Sequence, residues 1–292
     1  MLYALSRTEL ARLQSASKQA EFTGAEMVIA IYRTDQVAVA TILPPPLKPT
    51  PQATAAAFIG RYPQTSFGSV YNEGALFVQA RFGTEVGWYC VAMPVDDDTA
   101  MIGGREQFGF PKKMADRITL EASGSQVVGR VQRKGCEILR IEVEPRAALA
   151  PHDLSAFGPE AVDENGQACT EVVSFLFKHF PSPDYTRFDY LPRTVRQVTL
   201  FRPRSDVRKG TGRVVVTSSP CDPLGEVPVE SLTACFHGTW DNTMLPGKVV
   251  GRVWNVRRFL PHAFFKTDAI AFLLGSTESK APQDANPPQR SH

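Results

Sequence analysis

No stretch of this chain reaches the eighteen or so consecutive apolar residues that span a bilayer, and no basic-then-apolar leader opens it. The expectation is a cytoplasmic protein with no membrane partner. A dominant charge is missing too. The 32 Lys and Arg against 30 Asp and Glu leave +2, which gives no general pull toward nucleic acid. The five cysteines (Cys90, Cys136, Cys169, Cys221, Cys235) are odd in number and contain no CxxC pair. That excludes a zinc ribbon or a disulfide framework and leaves reduced, mostly buried thiols. There is no GxSxG elbow, HExxH, P-loop or full GxGxxG, so the common hydrolase, metalloprotease and nucleotide-binding readings have no foothold. Asp96-Asp97-Asp98 lacks the spaced ligands of a calcium loop and reads as a solvated turn. Cys235 and His237 lie two apart on a strand without a third orienting group, and His179 and His237 read as core residues rather than bases. Neither a metal nor an organic cofactor is expected.

What is present, 43% hydrophobic residues over 292 positions, is ample for a core, and no linker-like midpoint divides it. Residues 1–20 read as an amphipathic helix, with Ser6 and Glu9 spaced as a capping box and Leu10 and Leu13 behind it. From Glu26 onward the sequence turns strand-like. A short helical segment and the stiff Leu43-Pro44-Pro45-Pro46-Leu47 connection follow. Apolar or β-branched runs over 53–59, 66–71, 74–82, 86–93, 118–120, 126–131 and 138–143, separated by Gly, Pro or Asn, read as antiparallel strands. Residues 145–166 read as a looser connection. A second β-rich part runs from Val172 to Val256, in which 229–236 suits a short helix or a strand. Between Arg187 and Arg213 eight basic residues stand against Asp189 and Asp206. With alternating apolar neighbours, this stripe reads as the solvent face of a strand pair or a subunit contact rather than a nucleic-acid surface. The tail, 276–292, is polar and proline-containing and reads as disordered. The organisation expected is an N-terminal helix over 1–21, one catalytic domain over 22–275, and that tail.

Lysine is scarce, ten in the chain with none between Lys48 and Lys112. Lys112 and Lys113 then stand side by side in Gly104-Arg105-Glu106-Gln107-Phe108-Gly109-Phe110-Pro111-Lys112-Lys113-Met114. Adjacent lysines mostly occupy solvated turns, but this pair sits in an apolar, glycine-containing segment. The pattern GRE, four residues, then PKK resembles the acetoacetate decarboxylase superfamily, where that segment carries a Schiff-base lysine. Tyr32-Arg33-Thr34-Asp35 with the proline stretch, and Tyr71-Asn72-Glu73, resemble further family signatures, and the likeness extends over roughly residues 22–255.

The resemblance implies an α+β, predominantly antiparallel β fold, a curved or cone-shaped β-barrel with peripheral helices, assembled as a homo-oligomer. By the same likeness Lys112 is the nucleophile, Lys113 its cationic neighbour, and Glu73 a proton shuttle facing the Schiff base. Arg105, Tyr71, Phe58, Phe108, Phe110 and Met114 would line the substrate pocket. Arg105 would either pair with Glu106 or hold a substrate carboxylate. An amine attacks a ketone only when unprotonated, and a free lysine near ~10.4 is almost wholly ammonium at neutral pH. Burial among Phe108, Phe110 and Met114, and a second ammonium beside it, both penalise the charged form. This activation argument belongs to acetoacetate decarboxylase itself and is taken over with the resemblance.

Two departures stand out. Ala25 occupies the place of an arginine near the family's substrate, and Phe58 the place of a second glutamate. A larger or more apolar substrate than a small β-keto acid follows. The expected function is a cofactor-independent lyase that decarboxylates a β-keto acid. The alternatives are aldol, dehydration or cyclisation chemistry on an oxo acid through the same lysine, or non-catalytic binding of a carbonyl metabolite.

Overall fold

The strand β1 (Ala20–Arg33) carries the unbroken buried run Met27–Tyr32. Such a run is what a strand covered on both faces requires, because alternate side chains then enter two different apolar layers. In the computed structural model, which describes residues 3–16 and 19–270, Val28, Ala30 and Tyr32 enter one core while Met27, Ile29 and Ile31 enter another.

The remaining barrel strands are β2 (Thr54–Tyr62), β3 (Tyr71–Phe82), β4 (Glu85–Val95), β9 (Ala168–Lys178), β10 (Arg193–Pro203) and β12 (Ser231–Met244). They form a ring in the order β10-β9-β4-β3-β2-β1-β12, closed by pairing of β12 with β10. All junctions are antiparallel except β4 with β9, which is parallel at Ser174↔Trp88. The short strand β5 (Lys112–Met114) adds in parallel to β4, with Met93↔Lys112 in register. Beyond β12 the sheet continues as β11 (Arg208–Val216), β8 (Cys136–Ala148), β7 (Gln126–Arg133) and β6 (Arg117–Ser123), and β13 (Lys248–Arg252) pairs with β10. This flap folds back over the outside of β1–β3. Val131, Ile138, Ile141 and Val143 there meet Val28, Ile59 and Leu76, and the largest core lies between the two layers. Truncating one of these fully buried aliphatics would cost about 2–5 kcal/mol. The predominantly antiparallel α+β barrel implied by the resemblance is the fold observed.

Helices lie at the periphery. The first, α1 (Arg7–Ser15), has the anticipated Ser6/Glu9 capping box but is shorter than 1–20: the chain is already in β1 by Ala20, and no residue of α1 is buried. The second, α2 (Gln36–Ile42), is capped by Asp35. Two helical segments went unrecognised in the sequence. Asp97 accepts from the Ala100 amide to cap α3 (Asp98–Gly103), so the aspartate run is a helix start rather than a plain turn. Asn255 caps α4 (Val256–Ala263), whose Phe259 packs on Phe177 at 5.1 Å between ring centroids. Residues 145–166 are less loose than their composition implies, since β8 runs to Ala148 and Glu160–Val162 pairs with β9. The expected disordered tail lies outside the described residues.

Much of the basic stripe is spent internally. Arg196 bonds Glu85 and Glu171, Arg202 bonds Asp163, and Arg204 makes a two-pronged contact with Asp241. Among the described residues, no helix is long and apolar enough to cross a membrane.

Candidate active site

The approach to Lys112 begins at α3. It runs directly into a single π-helical turn, Gly104–Phe108, and Gly109 ends that turn at φ 93°. A side chain is excluded at Gly109 twice over, by the left-handed backbone and because a Cβ would lie 2.6 Å from the Phe177 carbonyl oxygen. A lone π-turn inserted in a helix commonly marks a functional site. Pro111, which has no N–H to continue a helix, then delivers the chain to β5 beside β4.

Strand alternation decides what the two lysines do. Lys112 points into the barrel, 7% exposed, and its Nζ lies 2.5 Å from Oε2 of Glu73, itself 4% exposed. Glu73 projects from the start of β3, flanked by Gly60 on β2 and Val95 on β4. The ring of Tyr71 lies 5.4 Å from the ammonium and stacks on Tyr62 at 4.8 Å. Burial first, then the Glu73 carboxylate, pushes both phenols well above their ordinary range, so both are neutral hydroxyls. The thiol of Cys90 is pushed up by the same two causes in the same order and is not a rival nucleophile.

Three expected site residues fall elsewhere. Lys113 faces the opposite side of β5, with its ammonium 2.8 Å from Asp268 and 3.0 Å from Asp222. The two aspartates also bind Arg133, which makes a cluster with Arg133 and Asp222 buried and Lys113 and Asp268 partly so. Neighbours on a strand point to opposite faces, so Lys113 is neutralised outside the barrel wall rather than set beside Lys112. Arg105 neither pairs with Glu106 nor reaches the cavity. Its Nη1 donates to the carbonyls of Lys112 (3.1 Å) and Lys266 (2.7 Å), tying the π-turn to β5 and to the segment after α4. Met114 is 41% exposed at the end of β5 and lines no part of the pocket.

Phe58, Tyr71, Phe108 and Phe110 do line it, with Glu73 and Lys112, around a cavity of about 720 Å³ inside the barrel. Phe58 lies near-parallel to Phe77 with ring centroids 6.1 Å apart, so this part of the cavity is an aromatic wall. Ala25 is fully buried in the second core and does not touch the cavity. Glu73 and Lys112 are the only Asp, Glu, Lys, Arg or His among the described lining residues.

Sequence reading missed the opposite wall, where Ser174, Gln197, Thr199, Trp240 and Asn242 face inward. On β9 both faces are buried over residues 174–177, which hides any alternation there, and on β10 and β12 the inward positions are themselves polar or amphipathic (Gln197, Thr199, Trp240, Asn242), so no apolar stripe marked them.

His179 and His237 stay apart from the site. His179 packs edge-on to Phe188 and Phe259 and is held to about 3 by burial, then by the Lys266 and Arg105 charges; it is a neutral core residue. His237 pairs with Glu26 at 3.2 Å, while the Cys235 thiol bonds the Gly210 carbonyl. Among the described residues no group of His, Cys, Asp and Glu is arranged to hold a metal ion.

The family model described as acetoacetate decarboxylase (ADC) matches residues 9–253. The chain belongs to the acetoacetate decarboxylase family. It is 28% identical over 232 residues to acetoacetate decarboxylase 2 of Mesorhizobium japonicum, covering 78% of this chain and 82% of that one. A shorter match, 41% identical over 108 residues, links it to acetoacetate decarboxylase 1 of Bradyrhizobium diazoefficiens. That match covers 37% of this chain and 42% of the relative. The solved acetoacetate decarboxylase of Legionella pneumophila superposes with a TM-score of 0.69 at 21% identity, covering 81% and 88% of the two chains. The enduracididine biosynthesis enzyme MppR, solved with the condensation product of pyruvate and imidazole 4-carboxaldehyde, superposes with a TM-score of 0.59 at 19% identity, covering 80% and 90%. At these identities the structures speak for the fold. The relatives matched by sequence are named acetoacetate decarboxylases.

Proposed function

We propose that this acetoacetate decarboxylase family member is a Schiff-base lyase that removes CO2 from a β-keto acid, with Lys112 as the nucleophile. The observation that carries the reading is the buried Lys112–Glu73 pair opening onto a cavity with no other Asp, Glu, Lys, Arg or His among its described lining residues. Glu73 takes the ammonium proton of Lys112 across their short contact, and the free amine adds to the substrate ketone. Protonated Glu73 returns the proton to the carbinolamine hydroxyl, water leaves, and a cationic iminium joins Lys112 to the substrate. The C–C bond to the carboxylate then breaks. Its electron pair moves through carbon to the iminium nitrogen, which gives CO2 and a neutral enamine. A proton from solvent, relayed by Glu73, goes to the enamine carbon, and hydrolysis frees the ketone and Lys112. The sum is keto-acid anion plus one proton to ketone plus CO2.

The surroundings favour the bond-breaking step. Cation and anion annihilate in it, and apolar walls solvate the separated charges poorly while leaving the neutral products unaffected. A substrate carboxylate about 5 Å from Glu73 would be repelled by about 3 kcal/mol at an effective dielectric of ~20, and that repulsion vanishes as CO2 leaves. Phe58 and Phe77 suit an apolar body larger than acetoacetate.

A second reading uses the same iminium for aldol or dehydration chemistry on an oxo acid. It draws on the likeness to the MppR fold. Incubation with a panel of 3-oxo acids, and separately with pyruvate plus aldehydes, separates the two. CO2 release dependent on Lys112 supports decarboxylation; condensation products without CO2 release reject it in favour of the second reading.

A further inference from the structure

The wall facing Glu73 across the barrel carries unmet hydrogen-bonding capacity. Strands β10 and β12 lie three steps from β3 in either direction round the seven-strand ring, so they form the far side. On β12, Trp240 is 1% exposed and Asn242 3% exposed, two residues apart, and both line the cavity. Neither the indole Nε1 of Trp240 nor the amide Oδ1 of Asn242 has a hydrogen-bond partner among the described residues. Gln197 on β10 is not in that position, since it donates to the Val198 carbonyl and accepts from Thr199 at 3.1 Å. Buried donors and acceptors are nearly always satisfied, and of the eight unpartnered buried atoms among the described residues these two are the ones on cavity-lining side chains, which makes them the candidates for a ligand atom.

Their chemistry restricts what that atom is. An indole N–H only donates and an amide oxygen only accepts. A hydroxyl meets both, accepting from Trp240 and donating to Asn242. A carboxylate could accept from Trp240 but cannot donate to Asn242, and no cation stands at this end to offset its charge, since Lys112 is the only Lys or Arg among the described lining residues. Register gives the span. Glu73 is level with Gly60, Met27 and Gly238 across successive strands. At about 3.3 Å rise per residue, Trp240 and Asn242 lie about 7 and 13 Å further along β12. The four carbons of acetoacetate do not bridge that length. Phe58, Phe77 and Phe201 give the cavity apolar walls, beside the uncharged Ser174, Gln197 and Thr199.

We infer that the cavity accepts elongated keto acids whose apolar body ends in an uncharged hydroxyl held by Trp240 and Asn242, in preference to acetoacetate or to a dicarboxylate. This specifies the substrate class of the Schiff-base reading and rests on it for the reacting end.

The test has two independent arms. In the first, the full chain is reduced with borohydride in the presence of 3-oxodecanoate, 10-hydroxy-3-oxodecanoate or 3-oxodecanedioate, and adducts on Lys112 are read by mass. In the second, calorimetry compares 3-hydroxydecanoate with 3,10-dihydroxydecanoate, neither of which can form an iminium. The terminal hydroxyl should tighten binding about tenfold. That ratio should fall toward one in Trp240→Phe and in Asn242→Leu, each checked by thermal melting to be folded. Equal affinities for the two compounds in the unmodified protein, or a ratio unchanged in both folded variants, overturn the inference even when adducts form. So does a dicarboxylate that is trapped better than the hydroxy acid. Absence of every adduct removes the Schiff-base reading instead, while the calorimetric ratio still decides whether Trp240 and Asn242 hold a hydroxyl.

Discussion

A methyl group added at Gly104 would stand 2.6 Å from both Cδ and Cε of Lys112. Comfortable carbon–carbon contacts begin near 3.5 Å, so the lysine stem must retreat by about 1 Å. A displacement of that size at a reacting group costs about 100-fold in rate. Stability should move the other way. Gly104 has ordinary right-handed helical angles, φ −62° and ψ −43°, where alanine is preferred over glycine by about 0.5–1 kcal/mol. Gly104→Ala is therefore expected to keep or raise its melting temperature while CO2 release from a β-keto acid, and the yield of borohydride-trapped adduct, fall about 100-fold. Gly103→Ala is the control, because a Cβ there meets nothing within 4 Å, and its rate should stay within a few-fold of the parent protein. The reasoning fails if Gly104→Ala reacts at the parental rate. It fails equally if the loss of rate is matched by a loss of folded structure, since the strain would then lie in the backbone and not in the Lys112 stem.

Two further outcomes follow from the groups around the site. Lys113→Gln removes the cation between Asp222 and Asp268 but leaves Arg133 to both, so it should cost about 1–3 kcal/mol in urea unfolding and leave the pH profile of turnover in place. An acid-limb shift of that profile to higher pH, with stability unchanged, would restore Lys113 to the role first expected of it. Lys266 is held down to about 8, by burial first and then by the Arg105 charge, against 10.5 for a free side chain. Between about pH 8 and 10.5 the unfolded chain binds more protons there than the folded one. The penalty of burying the ammonium is thus fully present below pH 8 and is relieved as pH rises toward 10.5. Lys266→Met should be more stable than the parent at pH 7 by up to about 3 kcal/mol, with the advantage largely gone by pH 10. An advantage independent of pH would contradict the assignment.

How much of this the sequence disclosed depends on how locally each feature is encoded. The α1 capping box and most strands were readable because Ser6, Glu9 and the apolar runs act through near neighbours. The Lys112 segment was readable only through its family likeness, which also pointed to Glu73, 39 residues away in sequence. The fate of Lys113 was misjudged for a physical reason. Adjacent in sequence means opposite in a strand, and β5 is only three residues long, too short for its alternation to show. Arg105 was misjudged because its partners are backbone carbonyls, one of them 161 residues away, which no spacing pattern reports. The Asp97 cap was hidden in a run of three aspartates that looked like a turn. The Trp240 and Asn242 wall was invisible because ring closure between β10 and β12, not any local motif, brings it to face Glu73.

The central claim is that a buried amine on β5 forms a C=N bond with the substrate. Borohydride reduction in the presence of a 3-oxo acid, followed by proteolysis and mass mapping, tests it most directly. The account predicts one covalent adduct, carried by the peptide containing Lys112 and lost in Lys112→Met. An adduct on Lys266 or Lys113, or protein recovered without any label while CO2 is still released, would contradict it.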